Sequence, residues 1–460
     1  MPLVGLCFLL ALDISAFYDS IFVVVFIDEL AALGYPRRVL YISLLIHLAP
    51  RVLESDGVQV VDPIVPMLSI VAGLFDSIAM AQGFLFRILA RVRSANSLVE
   101  FHSHVDDIAV LADFPTLRQL RSRSAQASVD LILSVQSLGL KVSPKTVAIA
   151  ASPKFARSVS EITKSRTGVQ VASSSRGVDL GSDYFPGRSR VVSSFVSRFT
   201  KSRPRVARVV KLVKQSRKSS GLYTTGLRPS TMYNITVTGV SLRNMQQLRT
   251  DCVTPTGINS TGRCRFSATS LVFVSGADPA EHAPQQSFES ATSVLLQRSV
   301  FIDSKTLHNL CQQAKSWRTV AGPLAAAIFY VHNVGWKWLA PLTMLIESEY
   351  RYIDPYNLLL SVQSFREALR FKSWNKASKG FAGTGFQSWP SLKQPISFVK
   401  QLVVDGKFSH AACMESIIAG AMWPMHRVAS SGYLGSPLCP RCGRAVETLY
   451  HRFWGMQRQR

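Results

Sequence analysis

Acidic residues are what this chain has least of. Against 52 Lys and Arg stand 28 Asp and Glu, a formal net charge of +24. Such an excess calls for a polyanionic partner, with nucleic acid first and an anionic membrane surface second. The membrane reading is the lesser one, because the basic residues are not gathered beside one long apolar span. No Lys or Arg precedes Arg37, so the apolar start MPLVGLCFLLAL lacks the basic head of a signal peptide. Asp13, Asp19, Asp28 and Glu29 interrupt the apolar residues beyond it, and burying them in lipid would be costly. A short buried strand that ends abruptly in Asp accounts for both features. Seven unevenly spaced cysteines do not make a secreted disulfide framework, so an intracellular, reducing compartment is expected. From Tyr184 to Thr250 acids are missing altogether while 14 Lys and Arg are present. Asp303, Glu347, Glu349 and Asp354 are too irregularly placed for the carboxylate cluster of an RNase H. With 460 residues, 47% of them apolar, the chain is not disordered as a whole and has room for two or three domains.

The acids that are present are placed with some economy. Phe101–Asp113 reads FHSHVDDIAVLAD, with adjacent carboxylates Asp106 and Asp107 between the strand-like runs Phe101–Val105 and Ile108–Ala112. Valine, Ile and Phe favour strands and Asp favours turns, so a β-hairpin with both acids at its tip is expected. Paired carboxylates repel unless a cation lies between them, and hard divalent ions prefer oxygen ligands. The plain alternative is an Asp-Asp surface turn. Upstream, Leu12–Phe22 reads LDISAFYDSIF and places Asp13 directly after an apolar run.

Taken together, the two blocks resemble the palm of reverse transcriptases, especially those of non-LTR (LINE-type) retrotransposons. Asp13-Ile14-Ser15-Ala16-Phe17-Tyr18-Asp19 matches that family's first acidic motif. His104-Val105-Asp106-Asp107, starting 91 residues after Asp13, matches its second except that His104 replaces an aromatic. The resemblance implies an RNA-directed DNA polymerase using two Mg²⁺ ions held by Asp13 and Asp106, with Asp107 nearby. Its partners would be an RNA template, a DNA primer and deoxynucleoside triphosphates. Tyr18 falls at the family's steric gate against a ribose 2′-OH, and Ile14 lies beside the nucleotide. Gly73 and Ser77 align with a Gly-containing loop that contacts nucleotide or template, although Asp76 there adds negative charge. Gly139–Thr146, GLKVSPKT, resembles the next palm element, in which Lys145 would be a general acid toward departing pyrophosphate.

Arg176–Arg190 resembles the palm-to-thumb hairpin, and the basic stretch beyond it a thumb helix. Val206, Val209, Val210, Leu212 and Val213 form one apolar face. Arg188, Arg190, Arg203, Arg205, Arg208, Lys211, Lys214, Arg217 and Lys218 would track phosphates. The bland reading of the same charges is a solvated helix face. Beyond a Ser/Thr/Gly-rich connector, Asp278–Phe288 reads as a linker. Ser293–Ala421 reads as mostly helical, with Trp317, Trp336, Trp338 and Phe371 as core anchors. Cys439-Pro-Arg-Cys442-Gly443 and His451 resemble the C-terminal zinc module of the same elements, without its last Cys; Cys413 or His426 could complete it.

The expected architecture is therefore an α/β (α+β) right-hand polymerase palm over residues 1–175, followed by a palm–thumb hairpin and basic helical thumb over 176–250. A connector (251–292), a mostly helical region (293–430) and a zinc-knuckle tail (431–460) complete it. With 12 residues before Asp13, the family's fingers region is missing, so a truncated retroelement product is expected. A nuclear or cytoplasmic ribonucleoprotein is the expected setting. The alternatives are a non-catalytic nucleic-acid-binding remnant and, last, a membrane-associated basic protein.

Overall fold

The computed structural model describes residues 7–453 apart from 53, 57, 60–62, 65, 67, 75, 187–189, 259–261, 274–275, 298–301, 321, 347–348, 354–356, 384–385, 388–390 and 434. The chain forms two compact units, Met1–Val191 and Val192–Arg460.

In the first unit β1 (Cys7–Leu12) leads into α1 (Phe17–Ser20), α2 (Val23–Ala32) and α3 (Arg37–His47). The short strands β2 (Glu54–Ser55) and β3 (Val58–Gln59) precede the long helix α4 (Ser77–Ala95). Next come β4 (Glu100–His104), β5 (Asp107–Asp113), α5 (Leu117–Ser137), β6 (Val147–Ala150), α6 (Pro153–Thr167) and β7 (Ala172–Ser174). A small hairpin of β8 (Gly177–Asp179) and β9 (Ser182–Tyr184) ends the unit. The main sheet has the order β4-β5-β1-β6-β7, antiparallel throughout except for β6 with β7.

β1 reads CFLLAL because a central strand is covered on both faces. Phe8, Leu10 and Leu12 enter a core with Ile108, Val110 and Ala148, completed by Phe84 from α4, Leu131 from α5 and Val159 from α6. Leu9 and Ile149 are also buried but lie outside that core, on the alternate positions of their strands. The β8–β9 hairpin covers this second face. A Cβ on Gly177 would collide with the Ile149 side chain, and Tyr184 Oη lies 4.0 Å from Cys7 Sγ.

One helix is turned inside out. α3 buries Leu40, Ser43 and His47 and exposes Val39, Tyr41, Ile42, Leu45 and Ile46. Its polar residues have inward work: His47 Nδ1 accepts the Val71 N–H at 2.9 Å, and the Ser43 hydroxyl donates to buried Asp76. Burial, acting first, holds His47 below the usual imidazole range, opposed by the charge of Asp76.

The second unit is predominantly helical. It opens with α7 (Ser193–Gln215), α8 (Arg228–Thr231), α9 (Ile235–Thr238), α10 (Leu242–Val253), α11 (Arg265–Val272), α12 (Pro279–Gln297), α13 (Ser304–Gln313) and α14 (Gly322–Asn333). A three-stranded antiparallel sheet comes next, β10 (Lys337–Ala340), β11 (Thr343–Ile346) and β12 (Glu349–Tyr352). It closes with α15 (Leu358–Ser378), α16 (Lys393–Val404), α17 (Phe408–Ile418), α18 (Met425–Ser430) and α19 (Leu449–Phe453). Its main core joins Phe288 of α12, Val331 of α14, Trp338 of β10 and Phe365 of α15.

Several expectations change here. The linker expected at 278–288 is the start of α12, and Ala283 and Phe288 within it are fully buried. The β10–β12 sheet interrupts a region expected to be mostly helical. Trp336 and Trp338 are core residues and Trp317 packs beside them, but Phe371 is exposed. Among the described residues no helix is long and apolar enough to cross a membrane.

Candidate active site

The β1–β5 pairing builds the acid site. Leu12 pairs with Ile108, so one further step along the antiparallel register sets Asp13 opposite Asp107. Cross-strand partners point to the same side, and Leu12 and Ile108 face the helical core. Asp13 and Asp107 therefore point to the other face of the sheet, away from that core. The β8–β9 hairpin covers that face toward Cys7, the end of β1 away from Asp13.

The expected hairpin forms, with one adjustment. His104 pairs with Asp107, so the loop is Val105-Asp106 and Asp107 is the first residue of β5 rather than part of the tip. Val105 has φ +59° while Asp106 is not in the left-handed region, the sign pattern of a type II′ turn, whose first position normally belongs to Gly. A β-branched residue at positive φ is a strained one. Ala16, at the entry to α1, is also left-handed, with φ +45°.

The segment that resembles the next palm element lies directly beside Asp13. Ser143 N–H donates to the Asp13 carbonyl at 2.8 Å, Ser15 N–H to the Lys141 carbonyl at 2.8 Å, and Asp13 N–H to Thr146 Oγ1 at 3.2 Å. Lys145 is exposed next to buried Thr146. Tyr18 is half-buried, edge-on to Phe17 at 5.4 Å. Its phenol is pushed up first by burial and then by the Asp106 charge, so it and Asp106 share one neighbourhood.

Other expected ligands do not reach the site with their side chains. Ile14 is buried in the core. Its bridge to Val142 uses the hydrogen bonds of Asp13 and Ser15, which leaves the main chain of Ile14 turned toward β5. Ser77 is fully buried and donates to the Val71 carbonyl at 2.6 Å, a bond that shapes the 71–77 loop. Gly73 is exposed at φ +89° with open space around it. Asp76 faces Ser43 and His47 in the interior and adds no charge to the acid face. The Ser43–His47–Asp76 cluster has no sequence signature, because its three members come from two separate elements.

Neither Asp13 nor Asp106 has an ion pair among the described residues. The three carboxylates are not drawn within 4.8 Å of one another, a spacing met among the described residues only by Cys439, Cys442 and His451. Like charges at the ends of neighbouring strands rest apart by repulsion. The donor set is all oxygen, half-exposed and open on one face, which fits Mg²⁺ better than softer ions.

In the second unit the basic helix has its apolar face as expected: Val206, Val209 and Val213 are buried and Val210 packs beside them, whereas Leu212 is exposed. Arg205, Arg208, Lys211, Lys214 and Lys218 are exposed. Arg217 is committed to an ion pair with Glu415 at 2.5 Å, so it is not a free phosphate ligand. Arg203 lies over the Phe199 ring at 5.6 Å, and Arg190 is half-buried and engaged. Arg188 lies outside the described residues.

At the C-terminal end, Cys439, Cys442 and His451 come together, with Cys442 Sγ 3.3 Å from His451 Nε2. Gly443 at φ +65° lets the turn close, its N–H donating to the Cys439 carbonyl at 2.8 Å. The N–H groups of Ala445 and Arg444 lower the Cys442 thiol to about 7, with burial opposing and His451 and Cys439 assisting. This trio could hold a metal, and its ligands fit Zn²⁺. Neither Cys413, which is exposed, nor His426 joins it. Buried Glu447 anchors the knuckle by accepting the Met425 N–H at 2.7 Å. Nearby, Arg427 is held between Phe381 and Trp423, 4.6 and 4.4 Å from their ring centres, a hub that the sequence did not flag.

No protein-family model matches the chain, and no curated protein matches it.

Proposed function

We propose that the first unit is the palm of an RNA-directed DNA polymerase and that the chain is a retrotransposon reverse transcriptase. The observation that carries this reading is the β1–β5 register, in which Leu12 pairs with Ile108; extended by one residue, it would bring Asp13 opposite Asp107 and near Asp106. Two Mg²⁺ ions held by Asp13 and Asp106, with Asp107 alongside, would supply Lewis-acid activation of the primer 3′-OH and charge neutralisation at the leaving pyrophosphate. The protein's own part is to orient. The three hydrogen bonds between Asp13, Ser143, Thr146 and their neighbours fix the acid's backbone against the Lys145 loop. Lys145 is the exposed cation for the departing phosphates. Tyr18, wedged on Phe17 near Asp106, would fill the room that a ribose 2′-OH needs. The exposed cations of α7 would bind the template–primer backbone without reading sequence, and the Cys439–Cys442–His451 knuckle, with Zn²⁺, would be structural.

A second reading, nucleic-acid binding without catalysis, draws on the spread of the three carboxylates and on the same α7 cations. Primer extension on poly(rA)·oligo(dT) with Mg²⁺ separates the two. Extension that Asp106→Ala lowers at least a thousandfold supports the polymerase. Salt-sensitive binding with no extension by the wild-type chain leaves the binding protein.

A further inference from the structure

The helical side of the first unit carries a feature that the acid site does not use. Between α5 and α6 lies a groove of about 590 Å³, on the face of the sheet opposite Asp13 and Asp107. Arg118 and Arg121 stand on its α5 side and Arg166 on its α6 side, and no Asp or Glu lines it. All three arginines are exposed, and none has a carboxylate partner among the described residues; Arg166 instead donates to the Gln126 side chain at 3.1 Å. The floor is apolar with hydroxyls, Phe155 and Ile162 alternating with Ser158 along one face of α6.

Three guanidinium groups around one groove repel one another unless an anion joins them. A groove of about 590 Å³ is far too small to take a duplex and can seat only a short piece of a single strand. Half-buried Phe155 at the groove's N-terminal end offers a ring against which a base can lie. We propose that the α5/α6 groove binds the phosphate backbone of a single nucleic-acid strand, as a second contact surface separated from the acids by the sheet. The inference does not depend on the acids being catalytic.

The test uses the full chain and a short oligouridylate carrying 4-thiouridine. Ultraviolet crosslinking followed by peptide mass spectrometry should give adducts within 117–126 and 155–166. The triple variant R118Q/R121Q/R166Q should lose those adducts and lower the slope of log affinity against log salt by about 2, since each lost single-strand phosphate contact removes about 0.7. A fourfold rise in salt should then cost the wild type about 16-fold more affinity than the variant. R118Q/R121Q alone, which keeps the Arg166–Gln126 bond, should lower the slope by about 1.4 and guards against misfolding of the triple variant. Any primer extension should be unchanged in both variants, and Asp106→Ala should leave the adducts in place. An unchanged slope, or adducts confined to α7, overturns the proposal. Preferential capture of a poly-glutamate peptide over the oligonucleotide also overturns it, in favour of an acidic protein partner.

Discussion

Replacing Asp13 with Asn asks directly whether the acid cluster is a cation site, and the register lets the effect be sized. Asp13 faces Asp107 across adjacent strands, so their carboxylates lie roughly 6 Å apart. Two unit charges at that distance repel by about 0.7 kcal/mol in the dielectric of water, and by about 1.4 kcal/mol at half that value. Both residues are half-exposed, so the expected relief in Asp13→Asn without divalent ions is about 1 kcal/mol in favour of the fold. Mg²⁺ should reverse the ranking. With ion at ten times its dissociation constant, the wild type gains about 1.4 kcal/mol by mass action, while the variant, short of one charged ligand, gains much less. Tryptophan fluorescence cannot report this, because all seven Trp lie between residues 317 and 454, in the second unit. Hydrogen exchange of the β1 and β5 amides can. Wild-type exchange should slow about tenfold on adding Mg²⁺, and the variant should start severalfold slower and respond little. An equal Mg²⁺ response in both proteins would refute the cation site. A variant that exchanges faster than wild type without Mg²⁺ would refute the repulsion on which the estimate rests.

Three further outcomes concern the second unit and α3. Burial, then Arg228, pushes His282 down to about 4, so its neutral form belongs to the fold while the unfolded chain protonates near 6.5. Its contribution is complete above about pH 6.5 and is lost as pH falls toward 4, on the order of 3 kcal/mol; His282→Gln should flatten that slope in fluorescence-monitored urea unfolding, and an unchanged slope would show that other groups carry it. Zinc should copurify at about one ion per chain and fall below about a tenth in Cys442→Ser, as measured by elemental analysis; equal metal content in the two proteins would remove the knuckle. On α3, Ile42→Lys with Leu45→Lys should shift stability by less than about 1 kcal/mol, because both residues are more than half exposed, whereas Leu40→Ala should cost about 2–3 kcal/mol. A large loss in the lysine pair would mean that this face is covered in solution.

What the sequence could say depended on how local the determining physics was. The Asp106–Asp107 hairpin and the apolar seam of α7 were legible because strand alternation, helix periodicity and turn preference act over a few residues. The start of α12 was misread for the opposite reason. Asp278-Pro279-Ala280-Glu281 looks like a linker by composition, yet Asp278 accepts the Ala280 N–H at 2.9 Å and Pro279 takes the first helical position. What makes that turn buried structure is distant. Asp278 holds Arg249 through two nitrogens at 3.0 and 2.8 Å, and Glu281 holds Arg370 at 2.8 Å as well as Arg366. The inside-out α3 was invisible likewise, since its buried Ser43 and His47 are explained only by a loop beyond residue 69.

Those buried pairs also sharpen the case for the acid face. Lys and Arg outnumber Asp and Glu nearly two to one here, and the buried Asp278, Glu281, Glu415 and Glu447 of the second unit each lie against an arginine. Asp13 and Asp106 have none among the described residues, although they are half-exposed and within reach of any flexible basic side chain near that face. Scarcity of cations cannot explain this. An exposed pair with arginine would add little stability, and it would also screen the charge that a divalent ion needs. On the proposed polymerase reading, these unpaired acids beside a strained hairpin are the ligands that an incoming cation would meet.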